Sequence, residues 1–196
     1  MGDVEQLLLQ GHYEEAQLAR ALLDRYYETL FFLAYSILGD TAAADDVVQE
    51  TLLSALNRIE QYEPGTNLKA WLSRIAVNRT RDVLRKRKVR EKWYQTWSRV
   101  ANLGSPPRTP ERTPERCTAD HELAGELWQA VEQLNDKHRL PLILRYVHGM
   151  TAREIAEILD IREGTVCSRL HYACRQLENL FSDSELEQWA EELINE

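Results

Sequence analysis

Cysteine, proline and glycine are scarce in this chain of 196 residues, which holds three, six and eight of them. Three cysteines, at positions 117, 167 and 174, are an odd number and do not build a disulfide framework. The fold therefore rests on packing. Long apolar runs are missing as well: none approaches the roughly 20 residues that a membrane-spanning helix requires. The start, Met1-Gly2-Asp3-Val4-Glu5, lacks the basic and apolar regions of a secretory signal, and the expectation is a cytoplasmic protein without membrane insertion. Enzyme signatures are missing too. There is no Gly-rich phosphate loop, no nucleophile elbow and no His-Glu metal motif, and the five histidines are scattered at 12, 121, 138, 148 and 171. Neither catalysis nor a cofactor is expected. What is present, 43% apolar and 29% charged residues, excludes disorder throughout and suffices for one or two small domains.

The formal charge of -8 argues, as an average, against a polyanionic partner, because phosphate binding is driven by Lys and Arg displacing counterions. The average conceals segregation. Residues 79–92 carry eight basic side chains (Arg79, Arg81, Arg85, Lys86, Arg87, Lys88, Arg90, Lys92) against Asp82 and Glu91, a local charge of +6 that leaves -14 elsewhere. From Glu178 onward there are seven acids and no Lys or Arg. Such a division suggests a nucleic-acid face and a separate surface for another partner. Taken alone, the basic run is equally compatible with a solvated helix face.

Apolar residues recur at three and four, with no alternation of period two, so the expected class is all-α. Leu18, Leu22, Leu23, Tyr26, Leu30, Leu33, Ala34 and Ile37 predict one long amphipathic helix over residues 16–38. Gly39-Asp40-Thr41 breaks it, with Asp40 or Thr41 available as an N-cap, and Val47, Val48, Thr51, Leu52, Ala55, Leu56 and Ile59 mark a second helix. After a loop at the Pro64-Gly65 step, a third begins near Leu68, burying Trp71, Leu72, Ile75, Ala76, Val83 and Leu84, and runs into the basic segment. Three helices with a common apolar face make a bundle. Residues 99–121 then hold four of the six prolines and a tandem Arg-Thr-Pro-Glu repeat, which reads as a flexible linker. Fully stretched it spans up to roughly 75 Å. Helical patterns resume at 122–134, 137–148, 152–159 and 164–181, and an amphipathic stripe at 184–194 suggests one more.

Residues 151–166 carry the strongest local signal. Thr151 and Glu154 form a capping box, Ile155, Ala156 and Leu159 pack inward, and a break at residues 161–163 precedes a second helix beginning near Gly164. This is a helix-turn-helix pattern. On the second helix Val166, Leu170, Ala173 and Leu177 define an inward face, which leaves Ser168, His171, Tyr172 and Arg175 on the opposite one, with Thr165 at the helix start. These side chains can donate to phosphates or base edges, as a helix in the major groove must. Cys167, His171 and Cys174 lie at i, i+4 and i+7, a spacing that permits metal ligation, but no fourth ligand is evident and no metal site is expected.

Most of the chain resembles the extracytoplasmic-function (ECF) type of bacterial RNA polymerase sigma factor, which keeps only the second and fourth sigma domains. The resemblance rests on Gly39-Asp40 followed by Asp45-Asp46-Val47-Val48-Gln49-Glu50, on Trp71-Leu72-Ser73-Arg74-Ile75-Ala76-Val77-Asn78 with the basic run, and on residues 140–146 and 164–170. It implies a sigma2-like domain at 1–98, a linker at 99–121, a sigma4-like domain at 122–181 and an acidic tail at 182–196. The implied function is to bind core RNA polymerase and direct promoter-specific initiation.

In this family the Asp-Val-Val-Gln-Glu helix binds the coiled coil of the polymerase clamp, which assigns core docking to Asp45, Asp46, Gln49 and Glu50. Favourable placement of Asp45 and Asp46 near a helix N-terminus is the alternative reading. The resemblance gives the minus-10 element to Tyr62, as a ring stacking a flipped base, and to Asn78, with Asn67 and Lys69 nearby. It gives the DNA backbone to Arg79, Arg81, Arg85, Lys86, Arg87 and Lys88. The minus-35 element falls to Arg145, Thr165, Cys167, Ser168, Arg169, His171, Tyr172 and Arg175. Many relatives carry Arg where this chain has Cys167, so bidentate reading of a guanine is lost there. The implied partners are core polymerase, promoter DNA and an anti-sigma factor, with the free chain a monomer. A stand-alone repressor using the same helix-turn-helix is the rival reading. The acidic tail reads either as a solubilising or packing segment or as one that docks on the DNA-binding surfaces.

Overall fold

The computed structural model describes residues 3–10, 13–101 and 122–179, and all regular structure among them is helical. They fall into two compact units. The first holds α1 (Asp3–Gln10), α2 (Glu15–Leu38), α3 (Thr41–Leu56), a short 3-10 turn (Ile59–Gln61) and α4 (Leu68–Ala101). The second holds α5 (Glu122–Gln133), α6 (Asp136–Tyr146), α7 (Ala152–Leu159) and α8 (Glu163–Glu178).

In the first unit α2, α3 and α4 pack against one another and α1 lies on α2. The periodicity of α2 buries Leu18, Leu22, Tyr26, Leu30, Leu33, Ala34 and Ile37 as expected, but Leu23, counted with them in the sequence, is 44% exposed. Its end is set by Gly39, whose left-handed φ of 64° lets its N–H reach the Tyr35 carbonyl at 2.8 Å. Asp40 then caps α3 by accepting from the Ala43 N–H at 3.0 Å. On α3 the buried positions are Ala44, Val47, Val48, Thr51, Leu52, Ser54 and Ala55, and Ile59 falls beyond the helix in the 3-10 turn. On α4 Leu72, Ala76 and Leu84 are buried with Ser73, Val77 and Thr80, whereas Trp71, Ile75 and Val83 are only half-buried. Full burial of a leucine such as Leu22 or Leu72 stabilises by about 1.5–3 kcal/mol. α1 was not expected; Val4 and Leu8, one turn apart, are buried where it lies on α2.

The second unit packs α6 and α7 on α8. Leu140, Leu142, Ile143 and Leu144 from α6, Ile155, Ile158 and Leu159 from α7, and Val166, Ala173 and Leu177 from α8 share its core with Leu127, Ala130 and Val131 of α5. The capping box forms as expected: Thr151 Oγ1 accepts from the Glu154 N–H, and Glu154 Oε2 accepts from the Thr151 N–H at 2.8 Å. Asp160, in the left-handed region at φ 56°, turns the chain between α7 and α8. The linker expected at 99–121 is helical at 99–101; its remainder, and the helix expected at 184–194, lie outside the described residues.

Candidate nucleic-acid interface

Three surfaces carry the candidate residues. On α3, Asp46, Gln49 and Glu50 are exposed on consecutive turns. Leu53 follows one turn after Gln49 and is 61% exposed, an apolar side chain that nothing in the periodicity singled out. Asp45 differs from expectation. It is half-buried and accepts a hydrogen bond from the Tyr27 hydroxyl, a bond that holds the Tyr27 phenol above its ordinary pKa. Its carboxylate thus ties α3 to α2. Neither it nor Asp46 lies in the first turn of α3, so the helix dipole does not account for them.

The second surface is α4. Asn78 and Lys69 are exposed. Asn67 caps the helix, its Oδ1 accepting from the Ala70 N–H at 3.0 Å. Tyr62 corrects an expectation: it is buried, its ring is tilted against Trp71 with centroids 5.4 Å apart, and its hydroxyl donates to the Thr66 carbonyl at 2.7 Å. A ring closed in this way has no free face for a base, and its work is to fold the loop back onto α4. Trp71 is the more exposed of the two.

The basic run divides by helix face. Arg87 donates to the Leu38 carbonyl at 3.0 Å and to Asp40 Oδ2 at 2.9 Å, with both charged side chains about four-fifths buried. It latches α4 to the corner between α2 and α3, and its assignment to the DNA backbone is corrected accordingly. Arg79 is also engaged inside the unit, donating to Ser54 Oγ at 2.7 Å and lying 3.7 Å from Glu50. Arg81, Arg85, Lys86 and Lys88 are exposed, and Arg85 pairs with Asp82 at 2.8 Å. The outward charge is therefore smaller than the sequence count, though still cationic.

The third surface is α8. Cys167, Ser168, His171, Tyr172 and Arg175 are exposed, while Thr165 and Arg169 are half-buried. The Ser168 hydroxyl donates to the Thr165 carbonyl at 3.0 Å. Arg145, exposed at the end of α6, donates to the Met150 carbonyl at 3.0 Å, which holds it over the turn that precedes α7. His138 of α6 was not foreseen as part of this surface. Its buried ring stacks under Tyr172, centroids 4.4 Å apart, and its Nδ1 lies 3.3 Å from the Arg169 carbonyl. A carbonyl can only accept, so Nδ1 is the protonated nitrogen. Cys174 Sγ lies 3.7 Å from the Tyr146 hydroxyl, and burial followed by this thiol pushes the Tyr146 phenol up. Among the described residues no three His, Cys, Asp or Glu side chains gather as a metal site.

A helical bundle with an acidic and a cationic helix, on one chain with a helix-turn-helix unit that exposes a hydrogen-bonding face, defines a two-part DNA-binding transcription factor. Comparison with known proteins narrows this. Residues 22–90 match Sigma-70 region 2 and residues 130–179 match Sigma-70, region 4. The chain is 38% identical over 164 residues to the ECF RNA polymerase sigma factor SigL of Mycobacterium tuberculosis, covering 83% of this chain and 88% of that one. It is 30% identical over 159 residues to SigW of Bacillus subtilis, covering 76% and 81%. Among solved structures, the sigma factor RpoE of Bartonella quintana, in complex with the anti-sigma factor NepR, is similar with a TM-score of 0.60 at 27% identity, over 82% of this chain and 94% of that one. CnrH, in complex with the cytosolic domain of CnrY, shares the fold with a TM-score of 0.63 at 21% identity, over 90% and 94%. The chain belongs to the ECF RNA polymerase sigma factors, and its function is promoter-specific transcription initiation with RNA polymerase. No described helix is long and apolar enough to cross a membrane.

Proposed function

We propose that each unit reads one promoter element while α3 docks on the polymerase. Residues 1–98 are the docking and minus-10 unit, 99–121 the linker, and 122–181 the minus-35 unit. Asp46, Gln49 and Glu50 meet the clamp coiled coil, with Leu53 adding an apolar contact at the C-terminal end of this polar ridge. Asn78 and Lys69 contact the non-template strand as the minus-10 element melts, which proceeds without nucleotide hydrolysis. Arg81, Arg85, Lys86 and Lys88 hold phosphates and so fix register rather than sequence.

On the other unit Arg145, Thr165, Cys167, Ser168, Arg169, His171, Tyr172 and Arg175 meet the minus-35 element. The observation that carries this reading is the division of α8 into a buried face of Val166, Ala173 and Leu177 and an exposed polar face of Ser168, His171, Tyr172 and Arg175. That RpoE is held by an anti-sigma factor supports a partner of the same kind for this chain.

Run-off transcription with bacterial core polymerase on a promoter library tests the proposal. Defined transcripts are expected only when chain and core are both present, and Asp46→Lys or Glu50→Lys should abolish them by preventing core binding. Tight duplex binding by the chain alone, with no RNA made in the presence of core, would establish the rival repressor reading instead.

A further inference from the structure

The cationic end of α4 carries apolar side chains that packing does not explain. Leu84 is the last buried residue among the described side chains of α4, yet Val89 is 52% and Trp93 62% exposed. They sit one turn apart, so they form a single stripe. At 100° per residue Arg85 and Lys92 flank the stripe on one side, and Lys86 and Arg90 on the other. All four cations are exposed. Apolar protein surfaces do not welcome four ammonium and guanidinium groups around a small contact. A DNA groove does, because it presents deoxyribose and base edges between two rows of phosphates.

We propose that Val89 and Trp93 form a groove contact with duplex DNA upstream of the strand met by Asn78. The indole packs on sugar and base edges, and the flanking cations bind the phosphates of the two groove walls. This rests on the reading of Asn78 as a minus-10 contact. α4 is continuous from Leu68 to Ala101, and Trp93 lies fifteen residues beyond Asn78. That spacing is about 22 Å along the helix axis at about 1.5 Å per residue. With α4 laid along the duplex axis, as the proposed contact requires, it corresponds at about 3.4 Å per base pair to roughly six or seven pairs. The stripe therefore reaches DNA that a template cut close to the minus-10 element does not contain.

The test uses the full chain bound to core polymerase and two promoter templates. One ends three base pairs upstream of the minus-10 element; the other carries a twelve-pair upstream arm of scrambled sequence, so that no minus-35 reading contributes. Trp93→Ala is expected to weaken binding to the long template about fivefold or more and to the short one less than twofold, with Trp93→Phe restoring most of the loss. An unchanged thermal midpoint is expected, because the side chain lies outside the core. Equal losses on both templates, or loss on neither, overturn the proposal. So does weaker binding of Trp93→Ala to core alone, which would make the stripe a protein contact, and so does a gain in DNA binding, the result expected if the acidic residues 182–196 cover it. Asn78→Ala separates the two levels. If it weakens both templates while Trp93→Ala behaves otherwise than expected, only the groove contact falls; if it weakens neither, the minus-10 placement falls and the groove contact with it.

Discussion

The ring of His138 stacks on that of Tyr172, centroids 4.4 Å apart and planes 26° apart, so a buried residue of α6 supports an exposed residue of α8. The stack limits the orientations open to a side chain that is itself 52% exposed. Aromatic pairs contribute about 0.5–1.5 kcal/mol beyond the area they bury. In the proposed minus-35 contact, Tyr172 would thus meet DNA already ordered. His138→Ala should weaken binding to a minus-35 duplex roughly two- to tenfold, in line with that range. His138→Phe keeps a ring in place but loses the Nδ1–H, and should retain most of the affinity. Titration of promoter templates with and without the minus-35 element checks this, because loss on both templates would indicate a general folding defect.

Arg87 is a structural cation inside a run of exposed ones, and its removal should be felt in stability. Hydrogen bonds to charged groups contribute about 1.5–3 kcal/mol, so Arg87→Ala should lower the urea unfolding free energy by about that amount. Arg87→Lys should fail to restore it, because one ammonium does not reproduce the forked contact with the Leu38 carbonyl and Asp40. The salt dependence of DNA binding separates the two classes of cation. Each phosphate contact contributes a slope of about 0.9 in log affinity against log salt. Arg81→Ala or Lys86→Ala should reduce the slope by about that much, while Arg87→Ala leaves it unchanged.

The contrast shows what kind of information the sequence holds. Helix faces were legible because periodicity is local: most of the buried sets of α2, α7 and α8 follow from spacing, as does the capping box of Thr151 and Glu154, whereas Leu23 is exposed and Leu170 only half-buried against that reading. The helix-turn-helix and its outward face came with them. Arg87 was misplaced because its partner Asp40 is 47 residues away, and a charge run does not reveal which member turns inward. Tyr62 was misplaced for a related reason. The Pro64-Gly65 step marks a loop but not that the loop folds back to seal the ring against Trp71. His138, buried and supporting Tyr172 from another helix, left no local signal. Leu53 and Trp93 were legible only as apolar residues, and exposure, the property that matters, is decided by neighbours.

Two buried hydroxyls have no hydrogen-bond partner among the described residues, Thr51 Oγ1 on α3 and Ser73 Oγ on α4. An unsatisfied buried hydroxyl carries its desolvation penalty of about 1–3 kcal/mol without return. Thr51→Val replaces the hydroxyl by a methyl of similar shape at little change in helix propensity, and should raise stability by about 1 kcal/mol. Ser73→Ala should act in the same direction. Denaturant unfolding checks both, and core-polymerase binding should stay unaltered, because neither side chain reaches the surface.

Alkaline pH should loosen the first unit through Tyr26. Burial first, and then the hydrogen bond it donates to Glu5 Oε1 at 2.8 Å, push its phenol from 10.0 up to about 12. The folded state therefore holds this proton more tightly than the unfolded chain does, and between those two values it binds more protons. Stability from this group is complete below pH 10 and is lost as pH rises toward about 12. The contact joins α1 to α2, so α1 should detach first. Amide exchange over residues 3–10 should accelerate in that window beyond the intrinsic rise with pH, and Tyr26→Phe, which has no proton to lose, should remove the excess. An equal acceleration in Tyr26→Phe would assign the alkaline loosening to another group.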